Sequence, residues 1–382
     1  GMMLTEEHRM VRQAIREIAQ KEIEPRAVEI DRSGKFPYEI LEILKEQGVH
    51  LIPLPEEYGG YGSVLMSCIA VEELSKACAT MGLWLLVQGS VVRCLTATKN
   101  EKTGDKFLRR MADGEIGAFV LTEPDAGSDV ASMKTTAVLD GDEYVLNGTK
   151  CFISCGGAAD FYVTFAKTKP EAGLDGISAF VVERDSPGVS IGRIDEKMGL
   201  HGSASAEIVF RDARVPKEHL LAGDGGEGIQ LAFAAINPTR VYVAAAALGV
   251  AEAALEYATR YAKERVQFGR PIAEFQGVQF LLAEIAMRIE ASRSLLYRVA
   301  AMIDENKEGV PGFAALAKCF VTEKSLEAVN YAMDILGGHG YMKDHPLERM
   351  LRDVKAFHFT EGTNYIQRLH VARAVLKGTL KD

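Results

Sequence analysis

Between Thr5 and about Asp31 the apolar residues Val11, Ile15, Ile18, Ala19 and Ile23 recur at steps of three and four with charges between them, the spacing of an amphipathic helix. Helical patterning continues to about Met111, interrupted at "IPLPEEYGGYG", where Pro53, Pro55, Gly59, Gly60 and Gly62 predict a loop. From about Glu115 to Gly225 the period changes. "GISAFVVERDSPGVSIGRI" and "AEIVFRDARVP" read as strands, and Asn147-Gly148 in "GDEYVLNGTKCFIS" predicts a hairpin turn. Beyond Gly228 helical spacing returns. Val278, Leu282, Ile285, Ile289, Leu296, Val299 and Ile303 form one long stripe, and Phe313, Leu316, Phe320, Leu326, Val329, Met333 and Leu336 a second. Stripes of that length call for other long helices to cover them. The predicted class is α+β: an N-terminal helical domain over 1–115, a middle β-sheet domain over 116–225 and a C-terminal bundle over 226–382.

Composition narrows the functional classes. The 382 residues are 47% hydrophobic, enough for a large core, and 44 basic against 53 acidic residues give a net charge of -9, which argues against nucleic acid as partner. The six cysteines (Cys68, Cys78, Cys94, Cys151, Cys155, Cys319) contain no C-x-x-C pair, so reduced thiols and a cytoplasmic location are expected. The apolar run 241–251 is too short to span a bilayer, and no membrane span is predicted.

Candidate chemistry lies in a few stretches, each with a plainer reading beside it. Gly223, Gly225 and Gly228 match G-x-G-x-x-G, but no strand leads directly into them, so a turn between domains is favoured over a dinucleotide site. "LTEPDAGSD" offers Thr122, Ser128 and backbone amides to a planar ring or a phosphate; a simple β-turn would also account for it. "ERVQFGRPI" sets Arg265 and Arg270 around Phe268, suited to an anionic cofactor or merely to solvent. His358 and Glu361, three apart, lack further ligands, so no metal site is predicted. Glu361 in "FHFTEGTNYIQRL" stands after a nearly apolar run and before Gly362, where neither packing nor solvation plainly requires a carboxylate.

Taken together, "LTEPDAGSD", "ERVQFGRPI", "LGGHGYMKDHPLERMLRD" and "EGTNYIQRL", in that order, resemble the acyl-CoA dehydrogenase family of flavoproteins over nearly the whole chain. The resemblance implies a C-terminal four-helix-type bundle and a homotetramer with FAD between subunits. It implies oxidation of an acyl-CoA thioester to the trans-2-enoyl-CoA in fatty acid metabolism, Glu361 taking the α-proton while the β-hydrogen leaves as hydride to flavin N5, with electrons passed to an electron-transfer flavoprotein. A desolvated carboxylate is the stronger base that such a C–H requires. Position by position, the resemblance assigns Phe119, Leu121, Thr122 and Ser128 to the flavin, with Phe152, Ile153 and Ser154 on the other side of its ring. Arg265, Phe268, Gln276, Asp334, Gly337 and Gly338 correspond to contacts with a neighbouring subunit's FAD, and Thr363 and Tyr365 to positions near it. Ser128, Asn237 and Arg240 correspond to CoA contacts, Gly362 to the thioester approach, and Trp84 to the helix closing the acyl pocket, where an indole would favour short, branched or cyclic acyl groups.

Some positions depart from the family pattern: Asp334 replaces Gln, Glu or Lys, Asn237 an acidic residue, Phe152 a frequent Trp, Thr360 an aromatic, and Tyr365 Glu or Gln. Members that take the base from the helix of Arg240 would need a carboxylate where Thr239 stands. An enoyl-CoA reductase, an acyl-CoA oxidase and a silent FAD- or acyl-CoA-binding subunit are the alternatives on this scaffold.

Overall fold

The structure is a computed structural model and describes residues 4–381. Helix α1 (Glu6–Ile18) starts at Thr5, whose hydroxyl accepts from the His8 N–H, and continues through a π turn and a short 3-10 turn containing Pro25 into α2 (Ala27–Ser33), which Gly34 ends in a left-handed cap. Helices α3 (Tyr38–Glu46), α4 (Val64–Ala77), α5 (Ala79–Ala97) and α6 (Glu101–Ala112) follow. The Pro- and Gly-rich stretch before α4 is the predicted loop, with two short 3-10 turns.

Eight strands make the middle sheet, β1 (Gly117–Val120), β2 (Thr136–Asp140), β3 (Glu143–Ile153), β4 (Phe161–Lys167), β5 (Ile177–Glu183), β6 (Val189–Ile194), β7 (Ala206–Pro216) and β8 (Leu220–Ala222). Their order is β6-β7-β3-β2-β4-β5-β8, with β1 added parallel to β4. The hairpin expected at Asn147-Gly148 is instead one turn earlier, where Asp140 faces Glu143 across Gly141-Asp142. Asn147 and Gly148 lie inside β3 at a bulge toward β7, and Gly148 is required there because a Cβ would fall 2.2 Å from the Thr135 hydroxyl oxygen.

The G-x-G-x-x-G stretch is the turn into α7 (Glu227–Glu264). A two-strand hairpin, β9 (Val266–Gln267) with β10 (Arg270–Pro271), then leads to α8 (Gln276–Asp304) and α9 (Val310–Leu336), and α10 (Leu347–Ala356) and α11 (Asn364–Lys377) close the chain. The two helical regions share one apolar core: α4 and α5 pack on α7 as α8 and α9 do. Gly249 lets α7 approach α4 so closely that a Cβ would lie 2.2 Å from the Glu72 carbonyl oxygen. Helices α5 and α7 are long and apolar enough to cross a membrane by composition, yet 89% and 78% of their apolar windows are buried inside the protein. All six cysteines are buried and unbridged. A buried carboxylate group, Glu72, Glu73 and Glu252, is held by protein partners: Arg12 and Arg16 pair with Glu73, Arg293 with Glu252, and Glu72 accepts from the Tyr297 hydroxyl.

Candidate active site

The turn from α10 to α11 sets Glu361. Phe357 is fully buried and anchors its start, and Thr363 caps α11 by accepting from the Ile366 N–H. Between them Glu361 (φ +59°) and Gly362 (φ +88°) are both left-handed, reversing the chain within two residues. Glycine adopts this freely, whereas a glutamate in it costs on the order of 1 kcal/mol, so the surroundings must hold it. Gln367 does so from α11, its amide donating to the carbonyls of Glu361 (3.0 Å) and Gly362 (3.3 Å).

The Glu361 carboxylate accepts no hydrogen bond among the described residues, and the N–H groups of Glu361 and Gly362 are likewise free there. Burial pushes its pKa up to about 7, against the opposing pull of Arg240 and Lys318. Nothing stabilises the anion by direct contact, so it is a stronger base than a solvated glutamate. Arg240 is buried, its own pKa lowered by that burial, and its Nε finds no partner; one terminal nitrogen donates to Asn237 at 3.1 Å. Thr239 bonds Ser90 of α5 at 2.6 Å, so α5 borders the same region, and Cys94, further along α5, also feels the Glu361 charge.

The flavin-type loop is built on a buried ion pair. Lys150 of β3, wholly buried, donates to the Leu121 carbonyl (2.9 Å) and pairs with Glu123 (2.8 Å), which also accepts from the backbone N–H of Lys134 and Thr135. Burial brings Lys150 down to about 8 even beside that carboxylate. The Cys151 N–H donates to the Thr122 carbonyl at 2.9 Å, tying Leu121 and Thr122 to the end of β3. There Phe152, left-handed at φ +57°, turns its ring outward and is 66% exposed. Ile153, next in sequence, is buried. Phe119 packs at 5.3 Å on Phe165, and Ser128 is exposed on the loop.

The remaining positions lie elsewhere. Arg265 ends α7, Phe268 sits at the tip of the exposed hairpin, left-handed and 94% exposed, and Gln276 starts α8 beyond it. Gly337 and Gly338, beyond Asp334 at the end of α9, have nothing within 4 Å of a would-be Cβ and so present bare backbone. Tyr365 is exposed on α11. Arg265 follows Arg240 by 25 positions along α7, roughly 37 Å at the helical rise of about 1.5 Å. Arg240 and Arg265 therefore stand at well-separated points along α7.

Arg240, assigned by the resemblance to CoA, is buried and its charge acts on Glu361. Trp84 is 3% exposed with its indole N–H unpartnered, on the helical face of Gln88, which bonds β1, and about a third of a turn from Ser90. Sequence reasoning missed Lys318 and Gln367. The signal for Lys318 was a lysine set between Ala317 and Cys319 in a core stripe.

Open backbone at Gly337 and Gly338, an outward aromatic at Phe152, hydroxyls and amides on the Leu121–Ser128 loop and the arginines of the hairpin form a donor set suited to a large, planar, anionic cofactor. A helical framework around a sheet, with a desolvated carboxylate on the same chain as such a set, fits a flavin-dependent oxidoreductase. Models of the acyl-CoA dehydrogenase N-terminal, middle and C-terminal domains match residues 5–115, 118–213 and 226–376. An acyl-CoA dehydrogenase of Bacillus subtilis is 45% identical over 99% of this chain and 100% of its own length, and an NADH-linked acryloyl-CoA reductase of Anaerotignum propionicum 43% over 98% and 95%. A chain in the solved structure of the electron transferring flavoprotein of Acidaminococcus fermentans superposes with a TM-score of 0.95 at 43% identity, covering 99% of this chain and 100% of that one. The chain belongs to the acyl-CoA dehydrogenase family, FAD-dependent flavoproteins, and is an oxidoreductase.

Proposed function

We propose that this protein dehydrogenates a short, branched or cyclic acyl-CoA thioester to the trans-2-enoyl-CoA with Glu361 as the base. The observation that carries the reading is the Glu361 turn: a carboxylate raised to about 7 by burial, without a hydrogen-bond partner among the described residues, beside two backbone N–H groups that likewise have none there. FAD, when bound, supplies the acceptor for the β-hydrogen as hydride. Glu361 takes the α-proton. A thioester oxygen accepting from the free Glu361 N–H would make the α-proton more acidic, the kind of electrostatic contact that contributes on the order of 3 kcal/mol per donor. Burial of Arg240 and Thr239 behind the carboxylate keeps water from the proton in transfer.

Phe119, Leu121, Thr122, Ser128, Phe152 and Ser154 would hold the cofactor in one subunit, and Arg265, Phe268, Gln276, Gly337 and Gly338 would reach it from a second copy. The exposure of the hairpin, with Phe268 94% exposed, supports this division. Exposed Phe280, Met287, Tyr341 and Met342 give the far end of the bundle an apolar surface for such a copy, consistent with a homotetramer. The A. fermentans neighbour supports an electron-transfer flavoprotein as redox partner. The A. propionicum relative favours a second reading, the reverse reaction as an enoyl-CoA reductase.

The test is a visible spectrum of the purified protein followed by anaerobic titration with straight, branched, cyclic and dicarboxylic acyl-CoAs, then reoxidation by air, electron-transfer flavoprotein or NAD⁺. Flavin bands bleached by short, branched or cyclic acyl-CoAs and restored by the flavoprotein are expected. A bound flavin bleached by NADH and not by any acyl-CoA would establish the reductase instead. Glu361→Gln should retain FAD and lose at least about 100-fold in turnover; unchanged turnover would remove Glu361 as the base.

A further inference from the structure

Beneath the Glu361 turn lies a cation that no step above uses. Lys318, in α9, is wholly buried. Its ammonium donates to the Gly362 carbonyl at 2.8 Å, to the Asn364 side-chain oxygen at 2.8 Å and to the His358 carbonyl at 3.2 Å, which fills all three of its donors. The two carbonyls stand three residues before and one residue after Glu361, so a single charge spans the turn that carries the base. Asn364 is oriented in its own right, donating to Thr322 (3.0 Å) and Glu323 (3.1 Å), and Glu323 is locked by Arg368 of α11.

A neutral amide could pair with the same oxygens without the desolvation that a buried ammonium suffers, so the charge itself needs an explanation. It lies in what faces it. The charged and titratable groups acting on Lys318 and Glu361 are Cys319 and Glu323 from α9, Arg240 from α7, Cys94 from α5, and Glu361 from the turn. His358 of the same turn meets the Thr322 carbonyl, and Arg368 lies outside Glu323. Only Arg240 and Lys318 act in favour of the Glu361 anion, and only Lys318 also touches the backbone that carries it.

We propose that Lys318 is the positioning residue of the base, holding the left-handed Glu361 turn by its hydrogen bonds and supplying from below the positive field in which the carboxylate works. This rests on Glu361 being the base. Lys318 touches neither substrate nor cofactor in this arrangement and acts through the turn. Burial brings its own pKa down to about 7, so its field weakens as pH rises through that range.

The test compares kcat and kcat/KM against pH in FAD-loaded Lys318→Met, Lys318→Gln, Gln367→Met and Glu361→Gln, using the acyl-CoA that bleaches the wild-type flavin fastest. Gln367→Met removes part of the hold but no charge; kcat should fall a few-fold with the acid limb in its wild-type place. Lys318→Met should lower kcat at least about 10-fold with little change in KM, and displace the acid limb upward by half a pH unit or more, because the anion loses a cation. Lys318→Gln keeps a donor for the carbonyls, so it should fold where Met does not and show the same displacement with a smaller loss of kcat. An unmoved acid limb in either folded Lys318 variant overturns the proposal. So does failure of both to fold and retain FAD, which would make the lysine a requirement of the fold. Turnover that survives in Glu361→Gln refutes the base assignment itself, a result separable from both.

Discussion

Gln88 of α5 and Gly117 of β1 are joined by two hydrogen bonds: the Gln88 amide donates to the Gly117 carbonyl at 3.0 Å, and the Gly117 N–H donates to the Gln88 side-chain oxygen at 2.9 Å. Both residues are buried, and Gly117 is confined between Val91 and Phe161, where a Cβ would lie 2.8 Å from the former. The side chain thus replaces the strand neighbour that β1 lacks on that edge and seats β1 on the N-terminal helices. Gln88→Leu leaves a backbone donor and an acceptor unpaired in the interior, at a cost of about 2–4 kcal/mol. A clear drop in Tm is expected; an unchanged Tm would show that Gly117 finds other partners.

The raised pKa of Glu361 sets both an activity limb and a stability effect. Activity of the free enzyme, read as kcat/KM, should rise about tenfold per pH unit below about 7 and level above it, since only the anion accepts the α-proton. For stability the sign is opposite to that of a paired carboxylate. A folded pKa above the unfolded value of 4.5 means the anion destabilises the fold, fully above about 7 and not at all below about 4.5. The shift corresponds to roughly 3 kcal/mol at most, less after solvent screening because the residue is only partly covered. Glu361→Gln should therefore raise Tm at pH 8 and leave it nearly unchanged at pH 4.5, measured with FAD saturating in both proteins.

Arg352 of α10 reaches across to α2 and binds Asp31 through both oxygens, at 3.0 and 2.7 Å, while Glu348 takes its other edge. Burial acts to raise the Asp31 pKa, but the hydrogen bonds and charge of Arg352 outweigh it and the net direction is down. Its stabilisation is thus present above the ordinary value of 3.8 and lost as pH falls through the lower folded value. Asp31→Asn should cost about 2 kcal/mol at pH 7, and its Tm should converge on that of the wild type toward pH 3. A Tm gap that persists unchanged in acid would assign the loss to packing.

How much of this was legible in the sequence depends on the range of the interaction. The helical stripes of α8 and α9 and the strand texture of the middle region follow from local periodicity, and both appear where the pattern puts them. Asn147-Gly148 misleads because the glycine serves a tertiary need, room for Thr135, that mimics a turn signal. Glu361 is conspicuous as a carboxylate out of place, but the carbonyls that Lys318 serves lie 40 and 44 positions further on, and nothing local links them. Arg240 was visible as a functional cation; that it faces inward depends on how α7 rotates against α5, fixed by Ser90 and Thr239, a contact across 149 positions.

Phe268 tests the assembly. An aromatic ring 94% exposed on a left-handed residue, with Phe275 6.1 Å away and Arg270 stacked on that second ring, is costly to keep in water and is held by a hairpin of only two residue pairs. Such a ring is explained if it enters a second copy of the chain and helps close the cofactor site there. Phe268→Asp places a charge at that contact. It should shift the protein to smaller species in light scattering and lower the FAD retained per chain, while far-UV circular dichroism stays that of the wild type, because the hairpin lies outside the core. Full FAD occupancy in a dissociated Phe268→Asp protein would show that each chain holds its cofactor alone, and the division of the site between two copies would have to be given up.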